Sequence, residues 1–317
     1  MLSSFFGALR RLSVLPLGER LPESAGRENE ELALFPVAGL AVGAVPALCL
    51  VLCGLLGISS PLPEALAVAA LAAVTGLRHL GELGRTGEAV FSGKPALGAL
   101  EVMREKRVGA AGTALVVLVL LGKYSALVAL RAEMTGSTLG LVLAVLLMTC
   151  IARWCALVLA SYSEYARPEG GADESLIASA GRREVWWALM VTVVSVLALG
   201  LLALGTPLGF MRGVLALAGC SLLAWFASIY FSGRFGGVTG ECLGALVEIT
   251  EVLALVLMCI LPAASPPARP APGPANGAKV VQIQPPKYGP AASPKSGDAS
   301  PKNEPADPAP RPVESKP

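Results

Sequence analysis

Charge is scarce in this sequence. Over 317 residues only 15% are Asp, Glu, Lys or Arg, against about 25% in an ordinary globular domain. Hydrophobic residues reach 54% and mean hydropathy is +0.65. So few charges cannot cover a water-facing surface of this size, so lipid is the expected solvent for much of the chain. A net charge of +2 is too small for a nucleic-acid footprint, and no nucleic-acid partner is expected. One histidine and no CxxC pair exclude a zinc cluster. The seven cysteines, Cys49, Cys53, Cys150, Cys155, Cys220, Cys242 and Cys259, lie in or beside apolar runs, which excludes a secreted disulfide framework. No n-region, h-region and cleavage-site order marks the first 30 residues as a secretory signal.

What is abundant is apolar run length. Stretches near the ~20 residues needed to cross a bilayer occur at roughly Leu34–Ile58, Val108–Leu130, Leu139–Ala160, Val185–Leu204, Val214–Phe231 and Leu243–Leu261. A shorter one, Ala65–Leu77, runs directly into charged sequence. None shows strand alternation, so the expected fold is all-α: a polytopic transmembrane bundle of about six to seven spans. Lys and Arg set its orientation. They concentrate before the first span, in 78–107 and in 162–184. With seven spans these segments and 232–241 share the cytoplasmic side. A multi-pass bacterial inner-membrane protein with a cytoplasm-facing active face is therefore expected. The domain boundary is placed at 262/263. Residues 263–317 hold 15 of the 25 prolines and read as a disordered Pro-rich tail.

Ionisable residues inside spans are costly and usually functional. Lys123, Arg153, Glu248 and Glu251 are of this kind. Two explanations stand side by side: mutual pairing, or a polar cavity of the sort a small-solute transporter also needs. Outside the spans, glutamates, basic residues and glycines gather at 78–112 and 236–244. Glutamates suit magnesium, arginines suit phosphates, and glycines allow close backbone approach. Trp186 and Trp187 read as interfacial belt residues.

The order of these residues resembles the cobalamin synthase family, the adenosylcobinamide-GDP ribazoletransferases, over about residues 5–262. The resemblance is carried by Phe35-Pro36-Val37-Ala38-Gly39, by His79-Leu80 with Val90-Phe91-Ser92, and by Met103-Arg104-Glu105-Lys106-Arg107-Val108-Gly109. Tyr165-Ala166-Arg167-Pro168-Glu169-Gly170 and Gly237-Val238-Thr239-Gly240-Glu241 complete it. It implies transfer of the adenosylcobinamide-phosphate moiety from adenosylcobinamide-GDP to α-ribazole or its 5′-phosphate, with release of GMP, in the last steps of cobalamin biosynthesis. It implies Mg²⁺, both substrates and the lipid bilayer as partners, and other cobamide-assembly enzymes nearby.

This sequence departs from the family pattern in its acids. Three family aspartates fall at Gly81, Arg85 and Glu88, and two more are Glu105 and Glu241. One reading rebuilds the metal site from Glu82, Glu88, Glu105 and Glu241. In it these residues and His79 are catalytic, while Arg85, Arg104, Arg107, Arg167, Thr239 and Gly240 bind substrate. The other reading is a catalytically impaired relative that serves as a membrane scaffold for cobamide assembly.

Overall fold

The structure is a computed structural model describing residues 2–15, 27–134, 136–171, 173–204 and 207–260. The Pro-rich segment from 263 onward lies outside them. Among the described residues twelve helices follow in order: α1 Leu2–Leu12, α2 Glu28–Ala33, α3 Phe35–Leu55, α4 Leu62–Val74, α5 Arg78–Phe91, α6 Ala96–Arg104, α7 Ala110–Glu133, α8 Thr138–Ser161, α9 Glu174–Ala178, α10 Arg182–Leu204, α11 Pro207–Phe235 and α12 Gly240–Ile260. Among the described residues there is no β-sheet, only an isolated bridge between Tyr165 and Val238.

Six helices, α3, α7, α8, α10, α11 and α12, are long and apolar enough to cross a membrane. Helix α8 is the central post, with 89% of its 18-residue apolar window buried. Its first turn is capped by Ser137, whose Oγ accepts the Gly140 N–H at 3.2 Å. Helix α3 carries Pro36 in its first turn, where proline is well suited, and packs directly on α8. A Cβ at Gly39 would lie 2.6 Å from the Thr149 carbonyl oxygen, so only glycine allows these two backbones to approach so closely.

The shorter seventh stretch forms a bent helix pair, which makes the count six spans, or seven if the pair is taken as one. Its apolar run ends as α4, which has 13 residues and so is only ~20 Å long. The chain then bends by 85° into α5. Gly76 (φ 62°) and Leu77 (φ 59°) make the corner, where the left-handed backbone stops one helix and starts the next. The segment 78–107, expected as a loop, is mostly helical. Its alternation of polar and small residues gives α5 one buried side, with His79, Leu80, Leu83, Gly84, Thr86 and Gly87. At the far end of α4, buried Glu64 pairs with Arg131 of α7.

The four charges inside the bundle form one closed group. Lys123 Nζ donates to Glu248 at 2.6 Å and to Glu251 at 2.5 Å, and Arg153 donates to Glu251. All four are buried. Two cations and two anions cancel, so pairing accounts for them, and the transporter reading loses the feature that motivated it.

Candidate active site

The convergence of the polar segments can be traced contact by contact. Arg78, at the start of α5, donates to the Ser13 carbonyl at 2.7 Å and ties α5 to the segment after α1. Residues 164–166 and 238 exchange backbone hydrogen bonds of 2.8 and 2.9 Å, which locks the segment after α8 against the entrance to α12. Arg104 pairs with Glu169, bringing α6 to the same end. These contacts gather 78–107, 164–173 and 236–244 at one end of the bundle, as the charge pattern predicted.

A cavity of about 210 Å³ opens there, lined by Arg11, Arg78, His79, Glu82, Asp173 and Gly240 over a floor of Ala156 and Val247. His79 Nδ1 lies 2.9 Å from Glu82 Oε2. The other ring nitrogen, Nε2, is buried and has no hydrogen-bond partner. With Glu82 accepting from Nδ1–H, Nε2 carries a lone pair and can accept a proton.

Glycines on α12 make room for the acids. A Cβ at Gly244 would overlap the Glu82 carboxylate, and one at Gly240 would overlap that of Asp173. Gly244→Ala is therefore expected to push Glu82 off His79. Turnover should fall by about 10²-fold with the thermal melt near wild type; an unchanged rate would show that the His79–Glu82 contact is dispensable.

Behind the cavity, Arg167 Nη2 donates to Glu241 Oε1 at 3.0 Å. Among the described residues Glu241 Oε2 and Arg167 Nε are buried without partners. Arg167 is held above its ordinary value: burial works against its charge, and the hydrogen bond and charge of Glu241 outweigh that. Burial raises the Asp173 carboxyl above its ordinary value, and the nearby Glu241 and Glu82 charges add to the rise.

For Asp173 the folded pKa exceeds the unfolded one, so the fold binds more protons across that interval and stability falls as pH rises through it. At pH 7 the ionised group costs stability. Asp173→Asn should melt higher than wild type at pH 7, with the difference shrinking as the pH is lowered toward 4. Equal melts at pH 7 would refute this reading of the site's electrostatics.

The expected site residues separate into three groups. His79, Glu82, Gly240, Glu241 and Arg167 lie in or directly behind the cavity. Thr239 is buried at the head of α12, where its hydroxyl faces Met103 Sδ at 3.2 Å and Cys242 Sγ at 3.6 Å; its role is packing and capping.

Glu88, Glu105, Arg85, Arg104 and Arg107 lie elsewhere. Glu88 Oε1 accepts the Gly112 N–H at 2.8 Å and satisfies the first turn of α7. Glu105 and Arg107 are exposed beyond the end of α6. Arg85 folds back toward Gly81, and Arg104 is committed to Glu169.

The four glutamates expected to share a metal are not gathered in one place. Glu88 and Glu105 do not join Glu82 and Glu241, and among the described residues no group of three or more His, Cys, Asp or Glu is placed to hold a metal ion. Arg11, Arg78 and Asp173 line the cavity and stand outside the expected site residues. For Asp173 a signal existed: it is the one aspartate before residue 263.

Residues 4–259 match the family described as Cobalamin-5-phosphate synthase. A relative from Geotalea daltonii is 34% identical over 264 residues, 81% of this chain and 97% of its own length. One from Klebsiella pneumoniae is 33% identical over 81% of this chain and all of its own length. One from Acetivibrio thermocellus is 28% identical over 78% and 93%. Each is named adenosylcobinamide-GDP ribazoletransferase. No solved structure matches. A family match across the whole helical bundle, with relatives aligned nearly end to end, settles the lineage: the chain belongs to the cobalamin-5-phosphate synthase family.

Proposed function

We infer that this chain is an adenosylcobinamide-GDP ribazoletransferase of a cell's inner membrane, with its reaction cavity facing the cytoplasm. The membership and the printed names of the relatives support the reaction. The Lys and Arg bias of 78–107 and 162–184 supports the sidedness.

The observation that carries a mechanism is the His79–Glu82 pair in a cavity flanked by Arg11 and Arg78. A hydroxyl of α-ribazole forms a bond to the phosphorus that bears cobinamide. The bond from that phosphorus to the bridging oxygen breaks, and GMP leaves with the electron pair. His79 Nε2 takes the hydroxyl proton, and Glu82 stabilises the resulting imidazolium. Arg11 and Arg78 face the diphosphate. Both are already tethered, Arg11 Nε to Glu31 at 2.7 Å and Arg78 to backbone carbonyls, so their remaining N–H groups are pre-positioned and little ordering is left for the reaction to supply.

Magnesium commonly takes one or two carboxylates and completes its shell with water and substrate phosphate. Glu82 and Asp173, the two carboxylates that line the cavity, fit that kind of open site better than a closed protein cage. These two would hold Mg²⁺, which when bound would neutralise diphosphate charge. Other cobamide-assembly enzymes are natural neighbours, because the substrates reach the membrane from soluble chemistry.

The test is the full chain in lipid vesicles given adenosylcobinamide-GDP, α-ribazole and magnesium, with GMP followed over time. Stoichiometric GMP and a completed lower loop are expected. Folded protein that releases none would move the reading to the scaffold.

A further inference from the structure

A second and larger cavity, about 840 Å³, lies on the other side of α8, between α8, α10 and α11. Each helix contributes a two-turn window, 154–162, 182–189 and 218–225, so the groove runs ~10 Å along the bundle. It is graded in polarity. Its mouth carries Arg182 and Tyr162, both exposed. Arg182 makes no ion pair among the described residues. Deeper, the polar atoms are consumed internally: Trp154 Nε1 donates to Ser221 Oγ at 2.9 Å, and that hydroxyl donates to the Leu217 carbonyl at 2.6 Å. What remains for an occupant is apolar wall from Trp154, Trp186, Trp225 and Leu189.

We propose that this groove binds one anionic phospholipid, with its phosphate on Arg182 and its acyl chain between the tryptophans. The charge of the mouth selects the head, because an unpaired cation at the water boundary attracts anionic lipid, and the dry lower wall selects hydrocarbon. Trp186 is 58% and Trp225 45% exposed on the outer surface of the bundle, so the groove opens toward acyl chains. The site is separate from the reaction cavity, with the full thickness of α8 between them.

The protein carries its own reporter. Three of its four tryptophans line the groove; Trp187 does not. The full chain is placed in phosphatidylcholine vesicles containing either phosphatidylglycerol or phosphatidylcholine brominated on the acyl chain, and tryptophan quenching is followed against mole fraction. Brominated phosphatidylglycerol should quench saturably, at about fivefold lower mole fraction than the brominated choline lipid, the preference that one basic residue gives at an anionic surface. Arg182→Gln should erase the difference, and Ala218→Phe should remove the saturable phase by filling the groove, while GMP release in the Arg182→Gln protein stays at the wild-type rate. Identical curves for both lipids in the wild type, or a preference that survives Arg182→Gln, would overturn the proposal. So would relief of quenching by added α-ribazole, which would assign the groove to the aromatic substrate.

Discussion

His79→Ala is expected to lower kcat/KM for ribazole transfer by about 10²- to 10⁴-fold, the range a positioned proton acceptor contributes. His79 is 7% exposed, and among the described residues the ring's only hydrogen bond runs to Glu82 on the next turn of the same helix. Deleting it removes one buried pair and leaves the contacts of α5 with α7 and α12 in place, so the melting temperature should shift little. Glu82→Gln is the informative partner. An amide can still hold the ring, but it supplies no charge to an imidazolium, so the rate should fall with KM nearly constant. If Glu82 only packs, Glu82→Gln will be silent. If both variants turn over at the wild-type rate, the proton acceptor is another group and the cavity must be reassigned.

Glu251→Ala should have the largest effect on stability. Glu251 is 1% exposed and accepts from both Lys123 and Arg153. Without it Lys123 retains Glu248, whereas Arg153, whose Nε and Nη2 already lack partners, becomes a bare guanidinium inside the bundle. Removing one member of a buried ion pair costs about 3–5 kcal/mol, enough to deplete folded protein in the membrane. A companion change tests the cause. Arg153→Met together with Glu251→Ala leaves one cation and one anion, Lys123 and Glu248, and should recover much of the loss. Recovery would identify unpaired charge as the damage; equal loss in single and double variants would point to packing around α8. The quartet lies one helical turn beneath the cavity floor, Arg153 three residues before Ala156 and Glu251 four after Val247. The same ion pairs therefore hold the floor in register.

The bundle was legible because hydrocarbon imposes long uninterrupted apolar runs, and six of them became helices within a few residues of the expected limits. The stretch 78–91 was not legible as a helix. Its glycines and charges resemble a loop when read in order, and only the angular placement of His79, Leu80, Leu83 and Thr86 around α5 shows the buried side. The site was half legible. Motif order located His79, Glu82, Arg167 and Glu241, because each lies beside a helix end that the pattern fixes. Motif order also nominated Glu88, whose carboxylate serves the backbone of α7, and Glu105, which points to solvent. Asp173 escaped notice, and Arg11 received no site role, because each enters the cavity from a segment distant in sequence, through contacts that no local spacing encodes. Composition alone hinted at Asp173.

The short fourth helix has a further effect. At ~20 Å against the ~36 Å of α7 and α8, it leaves one wall of the protein lower than its neighbours, with α5 laid across the gap as a sill. A bilayer meets such a mismatch by thinning locally, and His79 is the second residue of that sill. Water and lipid headgroups are thus drawn to the same doorstep, close beside the ring that opens the cavity.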